Sequence, residues 1–468
     1  MPRRTSHPTL SLFSRPTRIQ AVRTAHERPF GPANGAISRR PPIYRLPPEI
    51  LGQIFIACLP AENDGMYMNP DIYQAPMLLC QVCGHWRDIA LSLPILWSTL
   101  KGSISRRTKS SHVDLFRLWL ERARGHPLTL NLWSTSESDR VIDLFFARVH
   151  QWRRVTLDSQ IADRLSKLPP GSAPLLEHVG LGRDPEFLRS NHKVAPALAL
   201  LPRLRHLNLG DVVLSNFTHF TWPSLTHLTI GAPLDAHDCI LTLYCCPRVE
   251  HVEFARYTYS RNDISHLPIL TLRRLHTLII HGQQEDPGQL LDHLTLPSLL
   301  SLDIPNPWDR TSLHYLDTRS RCQIQELTLR EDNFTPEEDI LYYLTLPCFH
   351  SLRSLDLWPL LSNTVATHLT WRPNQDPRTQ CLPRLTALAL RRCNTTDGVV
   401  SGLLASRFRP SHGSRPSRSL KWARVQYGRS PRHPPDARWS SYDYDVSVFR
   451  TLEAQGLQVS WDVPGSRR

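Results

Sequence analysis

Four histidines recur at one position of a repeated hexapeptide: His178 in LEHVGL, His206 in LRHLNL, His227 in LTHLTI and His251 in VEHVEF. Imidazole changes charge near neutral pH and also ligates transition metals. If each hexapeptide is a strand, the four rings lie on neighbouring strands about 4.8 Å apart and form a ladder. Like charges at that spacing repel, so the ladder should titrate low and spread. A metal site asks for convergent donors and second-shell acceptors, which a straight row does not supply, and no metal or cofactor is expected. Cys80 and Cys83 form a single C-x-x-C with no second pair to complete a zinc set. No nucleophile elbow, metalloprotease, dinucleotide or phosphate-loop motif occurs, so no catalytic residue is assigned and the chain reads as a non-enzyme.

The histidine hexapeptides belong to a longer series. The pattern L-x-x-L-x-L recurs as WRRVTL (152–157), LHTLII (275–280), LLSLDI (299–304), IQELTL (324–329), LRSLDL (352–357), LTALAL (385–390) and LKWARV (420–425), with steps of 21 to 35 residues over the series. A period in this range predicts a leucine-rich-repeat solenoid, an α/β fold with a parallel concave sheet. Each strand turns its aliphatics into a shared core, and one repeat cannot bury that core alone. The residues between the aliphatics face outward. They are the candidate target contacts: His206, Asn208, His227, Thr229, His251, Glu253, Asp303, Glu326, Arg330, Asp356 and Trp358.

The expected organisation follows. The solenoid spans 111–400, and a helix–strand unit at 112–133 opens it, with Ser111 and Asp114 as a capping box and Gly125 as C-cap. Residues 401–440 are rich in Arg, Pro and Ser and read as flexible around one strand. In 441–468, a helix stopped by Gly456 and a strand over 457–461 form a C-terminal cap.

Ahead of the repeats stand two apolar segments, YRLPPEILGQIFIACLP (44–60) and MLLCQVCGHWRDIALSLPILW (77–97). Ile50, Leu51, Ile54, Phe55 and Cys58 share one face of a first helix. A second helix from Met77 should align Leu78, Val82, Trp86 and Ile89. The residues Leu46, Pro47, Glu49, Ile50, Leu51, Ile54, Phe55, Val82, Cys83, Trp86, Ala90, Leu96 and Trp97 match the F-box pattern in type and spacing, and residues 43–99 resemble an F-box. The link over 60–75 is longer than usual and resembles that of fungal, mushroom-type members. The resemblance implies a helix trio docking on a Skp-type adaptor, and through it a cullin, with Leu46, Pro47, Ile50, Ile54, Val82 and Trp86 at the contact. An F-box followed by degenerate leucine-rich repeats implies the substrate-recognition subunit of a Skp–cullin–F-box ubiquitin ligase, its repeats binding an unidentified target. The alternatives are a repeat scaffold outside any ligase, or an RNA-associated protein acting through its tails.

The charge pattern weighs against that last alternative. The net charge is +13, yet residues 43–400 hold 35 basic and 36 acidic residues. The excess sits at the ends: eight Arg against one acid in 1–42, and twelve Lys or Arg against five acids in 401–468. Nucleic-acid binding wants basic residues on a folded face, so it is not expected. Residues 1–42 read as a disordered basic extension, because Pro2, Pro8 and Pro16 interrupt the helix an import signal needs. No apolar run reaches the roughly 18–20 residues of a membrane span. Ten scattered cysteines suit reduced thiols, and the expected location is cytoplasmic or nuclear.

Overall fold

A computed structural model describes residues 42–59, 70–104, 110–134, 139–182, 194–210, 217–259, 264–282, 286–305, 309–330, 336–372, 381–408, 420–428 and 442–463. The basic extension, most of the inter-helix link and the Arg/Pro/Ser-rich segments on either side of 420–428 lie outside them. The chain forms two units, 1–54 and 55–468.

The first unit holds most of helix α1 (Pro48–Ala57). Pro48 opens the helix where a missing N–H costs nothing, and Glu49 meets the positive end of the dipole. The N–H groups of Ile50 and Leu51 donate to the Pro47 carbonyl at 3.0 and 3.1 Å. Leu51 is fully buried, while Ile50 and Ile54 remain 48% and 38% exposed.

The second unit begins inside α1, at the fully buried Phe55. Two helices follow the link, α2 (Leu79–Val82) and α3 (Gly84–Ser92). The sequence predicts one helix here, and the structure breaks it at Cys83, whose backbone is extended (φ −162°, ψ 170°). The reason is local. Cys83 takes the N-cap position of α3, and its Sγ accepts the Trp86 N–H at 3.5 Å. Leu78 and Val82 are thereby separated from the helix that carries Trp86 and Ile89. The Trp86 ring packs on Phe55 with centroids 4.9 Å apart. Trp97 is buried, and its Nε1 donates to the Ala90 carbonyl at 2.9 Å.

Helix α4 (Ser110–Ala123) differs at both ends from its expected caps. Ser111 lies within the helix, and Asp114 pairs with Arg117 at 2.7 Å. The left-handed turn falls on Arg124 (φ 50°) rather than on Gly125, because the His126 N–H closes onto the Ala123 carbonyl at 2.9 Å.

Among the described residues, the rest of the unit is built on a sheet of fourteen strands in sequence order, every neighbouring pair parallel, with helices in many of the connections. Its members are β1 (Thr99–Ile104), β2 (Leu128–Ser134), β3 (Trp152–Leu157), β4 (His178–Leu181), β5 (His206–Leu209), β6 (His227–Leu234) and β7 (His251–Tyr257). They continue, past a separate two-stranded pair β8 (Leu270–Thr271) and β10 (Leu294–Thr295), through β9 (Thr277–Gly282), β11 (Ser301–Pro305), β12 (Glu326–Arg330) and β13 (Ser354–Leu361). The last are β14 (Ala387–Cys393), β15 (Trp422–Tyr427) and β16 (Gln458–Asp462). This is a solenoid-like stack. Each repeat gives one strand, and its connection returns the chain to the start of the next.

Burial follows the hexapeptide. Leu204, Leu207 and Leu209 of one repeat are 3%, 1% and 1% exposed, and Leu225, Leu228 and Ile230 of the next are 1%, 0% and 5%. Strand β1 has no L-x-x-L-x-L and was not foreseen, although Leu100, Gly102 and Ile104 alternate inward in the usual way. At the other end, the helix Asp443–Ala454 stops at Gly456, where φ is 105° and only glycine sits without strain. Strand β16 then joins β15 in parallel, so the sheet runs on to Asp462. Arg407 ends the helix Val399–Arg407 and is buried. Its guanidinium donates to the carbonyls of Leu369, Cys381 and Leu382 at 2.5, 2.8 and 3.1 Å, satisfying chain ends that no strand pairs.

Candidate functional site

Residues of the third, fifth and seventh hexapeptide register alternate with the buried aliphatics, are mostly part-exposed, and make one face of the sheet. In the third register the strands align Arg154, His178, His206, His227, His251 and Thr277. The four imidazoles do form a ladder, with centroids 5.7, 4.2 and 5.6 Å apart and planes inclined by 31°, 26° and 22°.

All four histidines are held below the ordinary imidazole value. Desolvation by burial is the largest cause at each, and charge from neighbouring histidines comes second at His178, His206 and His227. This corrects the sequence argument, which gave repulsion the leading part. His178 is the extreme, lowered to about 4 by burial, then by His206, Arg154 and His227. Glu177 works upward on His206, Glu250 on His227 and Glu253 on His251. The His227 Nδ1 lies 2.9 Å from the Thr226 hydroxyl. No ladder histidine belongs to a cluster of metal-donor atoms among the described residues. The cluster that exists is Asp235, His237 and Asp238, and there the Asp235 carboxylate accepts the Asp238 N–H at 2.9 Å as a helix N-cap.

A second grouping lies farther along the same face. Arg330 grips Asp303 through two bonds of 2.7 Å. Arg391 grips Asp356 through bonds of 2.9 and 2.6 Å. The Trp358 ring sits between the two guanidinium groups, 5.6 Å from Arg330 and 5.0 Å from Arg391, within cation–π reach of both. His281 stands 3.7 Å from the Asp303 carboxylate. Burial pushes the Asp303 carboxyl up, but His281 and Arg330 outweigh it and hold it below the usual range. Bonding to Asp356 holds the Arg391 guanidinium above its ordinary value.

The face thus brings together two sets of the predicted residues: His206, Asn208, His227, Thr229, His251 and Glu253 around the ladder, and Asp303, Arg330, Asp356 and Trp358 around the tryptophan. Thr229 donates to Glu253 at 3.4 Å. Glu326 joins neither group and instead accepts from Ser301 at 3.1 Å. Arg391, His281 and Arg154 were missed. A signal existed for each: Arg154 holds the third position of WRRVTL, the register of the histidines, and extending two other hexapeptides by one residue gives LTALALR and LHTLIIH.

The adaptor-contact residues fall into two classes. Pro47, Ile50, Ile54 and Val82 are exposed, and Leu78 beside them in type is 44% and Val82 55% exposed. Leu46 and Trp86 are half-buried, Trp86 through its contact with Phe55. The ten cysteines are all free, and burial raises the thiols of Cys322 and Cys381 to about 11. Among the described residues, no helix is long and apolar enough to cross a membrane.

No protein-family model matches this chain, and no curated protein does. Among solved structures, a crystal structure of a Bacteroides fragilis protein from a structural-genomics programme is similar at 13% identity and a TM-score of 0.28. The match covers 55% of this chain and 64% of that one, so this chain spans less than two thirds of that protein. A likeness this slight carries no argument about fold or function.

Proposed function

We propose that this chain is a non-catalytic substrate-recognition subunit of a Skp–cullin–F-box ubiquitin ligase. Residues 43–99 act as the F-box, and the solenoid acts as a leucine-rich-repeat receptor for the target. One observation carries the reading. At positions of the F-box pattern, Ile50, Ile54 and Val82 are large aliphatics left 48%, 38% and 55% exposed, while Leu51, Phe55, Leu96 and Trp97 of the same pattern are at most 1% exposed. Aliphatics that a fold leaves in water on otherwise well-packed helices are what a partner's core takes up. The long outward face, with its built polar clusters, supports target binding by the repeats. Ten free thiols suit a reducing compartment, the cytoplasm or nucleus.

The test is co-purification. The intact chain, expressed with an affinity tag, should retain a Skp-type adaptor and a cullin, identified by mass spectrometry. An Ile54→Asp, Val82→Asp variant should lose both while keeping its circular dichroism spectrum. Equal recovery from both proteins sinks the F-box reading, and leaves a repeat scaffold as the better description.

A further inference from the structure

We propose that the margin of the sheet at which the chain enters the strands is a docking surface for an anionic lipid bilayer. The inference stands apart from the ligase reading and uses none of its residues.

A ladder of backbone bonds defines this margin. The residue ahead of each strand from β5 to β15 donates its N–H to the carbonyl of its counterpart on the preceding strand, from Arg205 onto Glu177 to Lys421 onto Thr386, at 2.7 to 2.9 Å. At about 4.8 Å per strand the row from Arg205 to Lys421 runs roughly 38 Å. The first hexapeptide position is buried, so the residues on either side of it turn outward. Arg203 and Arg205 flank buried Leu204, Arg248 precedes buried Val249, and Arg273 and Arg274 precede buried Leu275. Arg353, Arg384 and Lys421 repeat the arrangement beside the buried Leu352, Leu385 and Leu420. All eight cations are exposed, and among the described residues no ion pair or side-chain hydrogen bond holds any of them. The acids facing them along this stretch are Glu250 and Glu326.

Many of the balancing acids lie across the sheet. Where the chain leaves the strands it carries Asp235, Asp286, Asp309, Glu337, Glu338 and Asp397, with Arg256, Arg310 and Arg392 among them. The nearly balanced charge of 43–400 therefore hides a strongly basic margin that composition alone does not show.

Charge by itself would suit any polyanion, and the apolar side chains of the margin decide between them. Leu200 follows the helix Val194–Ala199, three residues before Arg203. Tyr244 ends the helix Ala236–Tyr244, four residues before Arg248, and Ile269 stands four residues before Arg273. The Tyr244 hydroxyl donates to the Pro268 carbonyl at 3.1 Å, which brings Ile269 next to that contact. Leu300 stands in the row itself, ahead of β11 and between the two groups of cations. These four are 64%, 39%, 55% and 39% exposed. Leucine, isoleucine and tyrosine left in water among arginines suit the boundary of a bilayer, where guanidinium groups meet lipid phosphates and apolar ends reach the acyl region. A duplex backbone offers Leu200 and Ile269 nothing, and a single strand needs a run of aromatic platforms, for which the margin presents Tyr244. A folded acidic protein would want the apolar side chains gathered at one centre, whereas here they stand one to a repeat.

The experiment is co-sedimentation of the full chain with vesicles of phosphatidylcholine containing about one third phosphatidylserine, at fixed ionic strength. A short duplex DNA, read by fluorescence anisotropy, is the comparison probe. The Arg-rich tails attract both probes and are common to every variant, so the variants carry the test. Arg248→Gln, Arg273→Gln, Arg274→Gln should weaken vesicle binding at least tenfold, since each surface arginine contributes about fivefold. Leu200→Ser, Ile269→Ser should weaken it about threefold or more and leave duplex binding unchanged. All five side chains are exposed and unpaired, so both variants should melt as the parent does; if the triple variant does not fold, Arg248→Gln alone should show a loss of about fivefold. Vesicle binding unchanged in the arginine variants overturns the proposal. So does an arginine-dependent binding in which Leu200→Ser, Ile269→Ser has no effect on vesicles, and arginine-dependent duplex binding without arginine-dependent vesicle binding assigns the margin to nucleic acid instead. No adaptor is present, so failure here leaves the F-box reading standing, and loss of adaptor binding leaves this result untouched.

Discussion

Replacing His178 by Gln should make the protein less sensitive to acid. In the folded chain its imidazole is lowered to about 4, with burial the main cause and His206, Arg154 and His227 adding to it. In the unfolded chain it titrates near its ordinary value of about 6.5. Between those two values the unfolded state holds the proton and the folded state does not. Stability from this group is therefore intact above about pH 6.5 and falls as the pH drops toward 4. At pH 5 the unfolded form is almost fully protonated and the folded form hardly at all, a penalty of about 2 kcal/mol. Glutamine fills similar space on the outward face and carries no proton. Urea unfolding followed by circular dichroism near pH 7.5 and near pH 5 measures the effect. Carboxylates that titrate in the same range are common to both proteins and cancel in the comparison. The wild type should lose about 2 kcal/mol more than His178→Gln on acidification. Parallel losses, or an NMR titration placing His178 near 6.5, would refute the burial argument.

Three further outcomes are expected. Leu207→Asp, Leu228→Asp or Leu302→Asp puts an unpaired charge into a core position at most 1% exposed and should collapse the thermal transition, whereas Asn208→Asp should change stability by no more than about 0.5 kcal/mol in the same scan. Asp356→Ala leaves the Arg391 guanidinium without its two-point partner and should cost about 1–2 kcal/mol in urea unfolding, since both side chains are about four-fifths shielded at 22% and 19% exposure. Trp86→Ala should lower stability as well as any adaptor affinity, because the ring packs on the buried Phe55, and a variant that melts unchanged would contradict that packing.

The strands of the repeats were legible because their signal is redundant. Each hexapeptide from WRRVTL to LKWARV places three aliphatic or aromatic residues at fixed spacing, and each coincides with a strand of the sheet. Strand β1 was not legible, since TLKGSI buries a glycine where the pattern wants leucine, and its inward order depends on Leu132 of the neighbouring strand filling the space. The break at Cys83 was hidden because the apolar spacing across it is helical, while a sulfur cap and Gly84 decide the backbone. The histidine ladder followed from register alone. Its electrostatics did not, because desolvation depends on how closely neighbouring strands cover each ring. The tryptophan cluster was half-seen. Asp303, Arg330, Asp356 and Trp358 stood out as polar or aromatic residues among aliphatics, but pairing Arg391 with Asp356 needs the alignment of β13 against β14.

The central claim is attachment to a ligase through residues 43–99, and calorimetric titration of the purified chain with a purified Skp-type adaptor tests it most directly. The account predicts saturable binding of one adaptor per chain, abolished by Ile54→Asp, Val82→Asp in a protein whose melting is unchanged. Absence of heat together with separate elution of the two intact proteins on gel filtration would contradict it, as would equal binding by the variant.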